Sequence, residues 1–174
     1  KDKQPSKKLT FNLDHVEIQN NSFRLINHKF KHPREGVNFA NLLVTDFSVD
    51  VSKIKLDSII SAKITGLTLK EKSGLYIKEI SSQASYSPHH MEFKDLFLKT
   101  NRSTIQDYIR FEYDSINDFT NFINDVKVYA NVVSSTVDSR DIEFFAPPMR
   151  TVVFQTAIKC AKLSGTVSKI VAKD

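Results

Sequence analysis

The stretch Val126-Lys-Val-Tyr-Ala-Asn-Val132 alternates apolar and polar side chains, and this alternation decides the fold. The same pattern recurs in Phe47-Ser-Val-Asp-Val51 and in the positions of Ile80, Ala84 and Tyr86. Successive side chains of a β-strand point to opposite faces of the sheet, so each run makes one apolar face and one polar face. The sequence therefore predicts a mostly β fold, an antiparallel meander in which hairpins join neighbouring strands.

The beginning of the chain predicts a linker followed by two short strands. Residues 1–8 are polar and predict a flexible linker. The strand that follows changes its apolar phase between Leu13 and Val16, which predicts a bulge or bend between them. The pair Asn20-Asn21 is a turn signal, and residues 23–25 then predict a second strand that pairs back on the first.

The folded part is predicted over residues 9–174, with a repeat-like unit at about 38–113 and a second set of strands at about 126–172. From Ser115 the apolar spacing changes to three and four residues, which predicts a short amphipathic helix over about 115–126. A compact turn with a helical segment is expected between residues 138 and 148. Individual strands are predicted over residues 38–51, 57–70, 74–86, 91–99, 104–113, 126–137, 150–160 and 163–172.

Composition excludes several classes of function. The formal charge is +5 over 174 residues, but lysines crowd both ends and leave a nearly balanced middle, which argues against a nucleic-acid partner. Only 4 glycines are present, which disfavours phosphate-binding loops. The single cysteine, Cys160, excludes an internal disulfide. No apolar run approaches the roughly 20 residues of a spanning helix, and a chain that begins at Lys1 without Met is expected to be part of a longer protein.

Candidate catalytic and metal-binding groups are sparse. His28 and His32 stand four residues apart in a segment that contains Pro33, where a helix that would bring them together is disfavoured. The adjacent pair His89-His90 and the acids of the 138–148 turn are better explained by turn chemistry. No nucleophile elbow, phosphate loop or zinc-protease motif occurs. The sequence predicts no enzyme activity, no metal site and no cofactor.

One long segment carries a family resemblance. It runs Ile64-Thr-Gly-Leu-Thr-Leu-Lys-Glu-Lys-Ser-Gly-Leu75 and continues to Ser103 through a turn at Ser87-Pro88 and the sequence Lys94-Asp-Leu-Phe-Leu-Lys-Thr100. This cadence resembles the repeated unit of the AsmA/TamB family of Gram-negative envelope proteins, in particular its Bacteroidota TamB branch.

Flanking pieces agree with this resemblance. Upstream, Val16-Glu-Ile-Gln-Asn-Asn-Ser-Phe-Arg-Leu25 and Gly36-Val-Asn-Phe-Ala-Asn-Leu42 are similar to the strands that precede the family's unit. Downstream, Asp141-Ile-Glu-Phe-Phe-Ala-Pro147 is similar to its aromatic turn, and Leu163-Ser-Gly-Thr-Val167 to its closing strand. The resemblance therefore extends over nearly the whole chain from residue 9.

The resemblance implies an extended curved antiparallel sheet, a taco-like groove that is apolar inside and spans the periplasm from an inner-membrane anchor. Such a groove is expected to carry phospholipid or other acyl chains to the outer membrane, or to aid barrel insertion. The anchor and the region that binds the barrel-insertion partner are absent from this sequence. Ser58 and Ser115 each follow an aspartate in a pattern similar to that of O-linked sugar acceptors in Bacteroidota.

Apolar residues of the predicted strands are the candidate groove lining, and an ordinary sandwich or sheet–helix core is the open alternative for each. If the helix at 115–126 fills the apolar face, a scaffold that binds protein edges by strand addition is expected instead. Open sheet edges also predict possible edge-to-edge dimerisation. The candidate lining residues are Phe39, Leu43, Phe47, Val49, Ile64, Leu67, Leu69, Ile77, Ile80, Phe93, Leu96, Leu98, Val128, Val132, Val152 and Phe154.

Overall fold

The computed structural model describes residues 10–29 and 36–173, and the predicted linker over residues 1–8 lies outside this range. The described residues form a nine-stranded antiparallel sheet in which every strand pairs with its neighbours in chain order. The mostly β prediction is confirmed, as is the extended open sheet. Its strands are β1 Phe11–Ile26, β2 Asn41–Leu56, β3 Ile60–Glu71, β4 Tyr76–Ser87, β5 His90–Thr100, β6 Thr104–Glu112, β7 Lys127–Asp138, β8 Gln155–Thr166 and β9 Val171–Lys173.

The register separates an apolar face from a polar face. Directly paired residues share a face, and the next residue along each strand belongs to the other face. One row of paired residues is apolar over seven strands and ends in a glycine: Phe11, Leu56, Ile60, Tyr86, Met91, Phe111, Val128 and Gly165. The adjacent row is mostly polar: Asn12, Lys55, Ser61, Ser85, Glu92, Arg110, Tyr129 and Ser164.

Bulges interrupt the ladders at residues with positive φ. Asp46, Asp95 and Asp107 have φ angles of 50°, 49° and 97°, and each lies at a register shift. Each carboxylate is held by a neighbouring strand: Lys70 pairs with Asp46 at 2.8 Å, Gln83 donates to Asp95 at 2.5 Å and Asn131 donates to Asp107 at 2.6 Å. Bulges increase strand twist and bending, so they curve the sheet.

The N-terminal prediction of two strands is wrong. β1 is one continuous strand that pairs with β2 along its whole length, and Asn20 forms a bulge with φ 49° instead of a turn. The apolar residues of β1 change from odd to even positions between Leu13 and Val16, yet the pairing with β2 continues there without a register shift. The reason is that β2 makes the same change opposite this point, where Lys53 has φ 54°. The ladder shift falls on the other side of β2, against β3.

Besides the connection between β1 and β2, two long connections leave opposite ends of the sheet. The connection after β6 contains a 3₁₀ segment, Ile116–Asn121, and α1, Phe122–Asp125, so the predicted helix is a six-residue 3₁₀ segment followed by one α turn. The connection after β7 contains α2, Ser139–Ile142, and a 3₁₀ segment, Pro147–Thr151. The two strands predicted over 150–160 and 163–172 are instead a single strand, β8, that starts later, followed by the short β9.

Candidate functional site: the apolar face of the sheet

Most of the predicted lining residues lie together on the apolar face. Pairing and strand alternation place there Phe47, Val49, Ile64, Leu67, Leu69, Ile77, Ile80, Phe93, Leu96, Leu98, Val128 and Val132. A second apolar row connects six strands through Ala62, Ala84, Phe93, Ile109, Ala130 and Leu163. The apolar side chains therefore form one continuous surface across the sheet.

Four predicted residues lie elsewhere. Leu43 pairs with Arg24 and alternates with the apolar-face residue Val44, so it belongs to the polar face. Phe39 precedes β2, while Val152 and Phe154 precede β8 in the second long connection, where their side chains are exposed at 47% and 37%.

Strand alternation also identifies apolar-face residues that the sequence interpretation omitted. Leu56, Ile60, Met91, Phe111 and Ile109 all belong to the two apolar rows. Their alternation is visible in the sequence: Met91 lies two residues before Phe93 and Ile60 four residues before Ile64, with no register shift between them.

The connection after β6 covers the middle of the apolar face. Phe119 is 9% exposed, and its ring centroid lies 5.1 Å from that of Tyr113 and 6.2 Å from that of Phe111. Val126, where the connection ends, is fully buried. Tyr86 and Met91, from the apolar row of β4 and β5, pack against the same cluster. Burial raises the pKa of the Tyr113 phenol to about 12, with a smaller contribution from Tyr86.

Aromatic residues from the opposite end of the sheet complete this cover. Phe39 lies 5.5 Å from Phe119 and 6.0 Å from Phe122 between ring centroids, and Phe145 lies 5.7 Å from Phe122. We call Phe39, Phe119, Phe122 and Phe145 the aromatic cover. Since its members come from three different connections, the cover ties both ends of the sheet together across the apolar face.

A close backbone approach positions the cover. Val37 donates its N–H to the Phe144 carbonyl at 2.8 Å. Gly36 has φ 76°, and a Cβ at this position would stand 2.6 Å from the same carbonyl oxygen. A side chain is therefore excluded there by both conformation and space.

Buried polar groups fix the connection after β7 to the sheet. Asp141 accepts hydrogen bonds from the hydroxyls of Thr100 and Ser103, each at 2.6 Å. The carboxylate of Asp138, whose side chain is 1% exposed, accepts from Arg140 Nε at 2.8 Å and Nη2 at 2.6 Å. The hydrogen bonds from Arg140 outweigh burial and lower the pKa of Asp138 to about 2. These acids hold the chain in place, as turn chemistry predicts.

The apolar face over β1–β3 has a different character. Phe23 is 44% exposed, Leu25 51% and Phe11 51%, all on the apolar face of β1. Phe23 contacts Phe47 edge to face at 5.5 Å between ring centroids. The apolar surface is thus filled under the aromatic cover and accessible along β1.

The adjacent pair His89-His90 takes part in turn contacts, whereas His15 of β1 contacts Asp50 of β2 at 3.2 Å. His90 Nδ1 lies 2.7 Å from the Ser87 hydroxyl, and His89 Nδ1 lies 3.0 Å from the Asp114 carbonyl oxygen. His32, the second member of the predicted pair with His28, lies outside the described residues. Within residues 10–29 and 36–173 no group of three or more His, Cys, Asp or Glu side chains is placed to hold a metal ion.

No helix in the described part of the chain has the length and apolarity to cross a membrane. Comparison with known proteins found no matching family model, no matching curated protein and no matching solved structure.

Proposed function

We propose that this chain is a segment of a longer periplasmic β-groove protein, anchored in the inner membrane, that offers phospholipid an apolar path between the inner and outer membranes. The observation that carries the proposal is the continuous apolar face of an open sheet, accessible along β1. The resemblance of the sequence to the TamB branch supplies the compartment and the direction of transport.

Physical chemistry supports an acyl chain as the ligand of this face. Burial of apolar area contributes about 25 cal/mol per Å², and this contribution requires neither a catalytic group nor a directional partner. Phe23, Phe47 and Leu25 provide a strip of such area where β1 and β2 pair. The backbone polar groups between β1 and β2 are paired in their ladder, so the strip between these strands can contact an alkyl chain without breaking those hydrogen bonds.

A structural scaffold that assists insertion of outer-membrane barrels is the second candidate. The observation that favours it is the aromatic cover, which occupies the middle of the face with the protein's own side chains. In that case the apolar face is a core, and the barrel-insertion partner is bound through parts of the protein outside this sequence.

Native mass spectrometry of the gently purified chain, followed by organic extraction and lipid analysis, separates the two candidates. Phospholipid recovered from the parent and lost from a Phe47→Glu variant is expected for the groove. The matched control is Phe97→Glu, because Phe97 pairs with Ser81 and Gln106 on the polar face, where the same change should leave bound lipid unaltered.

Folded parent protein without lipid would reject the groove and favour the scaffold. Equal loss of lipid in both variants would also count against the apolar face as the binding surface, since only one of the two changes alters it. Circular dichroism of each variant checks that the sheet is retained.

A further inference from the structure

We propose that the end of the sheet formed by the β2–β3 hairpin docks on the surface of an anionic phospholipid bilayer. The docking end includes the last row of the apolar face on β1–β3, away from strands β4–β6, which the aromatic cover contacts. Its docking does not require the rest of the face to carry lipid.

The hairpin ends in exposed apolar side chains. Ile59, in the turn between β2 and β3, is 46% exposed, and Ile60, the first residue of β3, is 40% exposed. Phe11, 51% exposed, pairs with Leu56 at the same end. We call Phe11, Leu56, Ile59 and Ile60 the apolar tip. Large apolar side chains at one end of a molecule are costly in water and are stabilised in the boundary between lipid headgroups and acyl chains.

Lysines surround a shallow depression on the polar face directly above the apolar tip. Lys53, Lys55, Lys63 and Lys94 line this depression of about 450 Å³, together with the hydroxyls of Ser61 and Ser85. All four lysines are exposed. These four lysines belong to three different strands, β2, β3 and β5, and the pairing of the strands brings them together.

The charge of the depression is only partly neutralised. Lys94 pairs with Glu92 at 3.2 Å, and Glu92 also accepts from the Tyr108 hydroxyl at 2.9 Å. The three remaining lysines form no ion pair among the described residues. In the turn itself, the carboxylate of Asp57 accepts from the Ser58 N–H at 2.7 Å. An excess of positive charge therefore faces outward above the tip.

The distance between the apolar tip and the lysines matches the depth to which interfacial segments enter a bilayer. Lys55 pairs with Ser61, one residue beyond Ile60, and Lys63 lies two residues further along β3. At about 3.3 Å per residue, the lysines begin roughly 3–10 Å above the level of Ile60. Interfacial segments bury their apolar side about 5–10 Å deep. With the tip at that depth, the ammonium groups reach the phosphates of anionic lipids.

Fluorescence provides a direct test, because the chain contains no tryptophan. In an Ile59→Trp variant, the single indole should shift to shorter wavelength when vesicles of 70% phosphatidylcholine and 30% phosphatidylglycerol are added. A Val153→Trp variant is the control, since Val153 is 75% exposed in the connection that precedes β8, at the opposite end of the sheet. Its emission should stay unchanged.

The contribution of the lysines is tested by vesicle flotation. A Lys53→Gln, Lys55→Gln, Lys63→Gln variant should bind the same vesicles at least about tenfold more weakly than the parent. A matched variant, Lys99→Gln, Lys162→Gln, Lys173→Gln, removes the same charge elsewhere and should bind within about twofold of the parent. Binding of the parent should fall when salt is raised, because exposed charges are screened.

Three outcomes overturn the proposal. The first is a folded parent that does not float with anionic vesicles at low salt. The second is equal weakening by the two lysine variants, which would indicate a general charge effect. The third is an unshifted indole at position 59 while the protein floats, which would mean that another surface contacts the lipid.

Discussion

At the scale of single residues, curvature depends on side chains that tolerate positive φ. Aspartate and asparagine enter the left-handed region at lower cost than other residues with a side chain, because their short polar groups bond locally. Asn20, Asp46, Asp95 and Asp107 fit this rule. Lys53, with φ 54°, does not, and among the described residues its side chain forms no hydrogen bond or ion pair.

Replacement of Lys53 by glycine should therefore stabilise the sheet. Relief of left-handed strain contributes about 1–2 kcal/mol, and the entropy of glycine opposes it by about 0.5–1 kcal/mol. We expect Lys53→Gly to raise the free energy of unfolding by up to about 1 kcal/mol. Lys63→Gly, at an ordinary strand position, should lower it by a similar amount. Urea unfolding measures both, and a loss of stability in Lys53→Gly would contradict the strain argument.

Asp138 should make stability depend on pH in the acid range. Its folded-state pKa is lowered to about 2 by the hydrogen bonds from Arg140, below the ordinary value of 3.8. The ionised carboxylate therefore contributes stability that is fully present above about pH 4 and is lost as the pH falls toward about 2. Thermal unfolding between pH 6 and pH 2 should show this loss in the parent.

The Asp138→Asn variant should be less stable at pH 6 and less sensitive to acid. Asp125→Asn, which changes an exposed aspartate bonded to Asn121, is the control and should follow the parent curve. Parallel pH profiles for the parent and the Asp138→Asn variant would show that the Asp138–Arg140 contact adds nothing to folding.

At the scale of elements, alternation locates most of the strands but divides two of them, β1 and β8. β7 begins and ends within one residue of the prediction. β1 was divided because Asn20-Asn21 signals a turn, and a bulge uses the same left-handed preference within a continuous strand. β8 was divided near residue 161, although Cys160, Ala161 and Lys162 pair without interruption with β7. A local signal does not distinguish a turn from a bulge, since the distinction depends on the neighbouring strand.

The aromatic cover could be predicted only in part. The spacing of Phe119 and Phe122 indicates an apolar side of the 115–126 segment, and this segment does pack on the sheet. Phe39 and Phe145 join it from distant connections. Such contacts depend on the order and register of the whole sheet, so periodicity contains no information about them.

Truncation of Phe119 should weaken the packing of this segment on the sheet. The side chain is buried among Phe39, Phe111, Tyr113 and Phe122. Phe119→Ala should lower the free energy of unfolding by about 3 kcal/mol or more. Ile116→Ala, in the same segment at a side chain that is 50% exposed, should cost less than about 1 kcal/mol. Urea unfolding that gives equal costs would mean that the cover is not a core.

At the scale of the whole molecule, the two outer strands of the described sheet do not pair with each other, and the aromatic cover leaves the apolar face along β1 accessible. Among the described residues, β1 has no strand paired on its outer side. At the other side, β9 pairs with Lys162, Leu163 and Ser164, so within residues 10–29 and 36–173 residues 155–161 of β8 form a second open edge. Unpaired edges offer backbone donors and acceptors to another strand.

Edge pairing should make the isolated chain self-associate, and charge on β1 should prevent it. Sedimentation between about 10 µM and 1 mM, the range in which exposed strand edges commonly associate, should show dimers or larger species of the parent. Leu13→Lys places a charge on the apolar face of β1, where paired copies would bring like charges together, and should shift the protein toward monomer. Val153→Lys, outside the strands, should associate like the parent. A parent that stays monomeric over this range would mean that the edges are protected, and strand addition would then lose its structural basis.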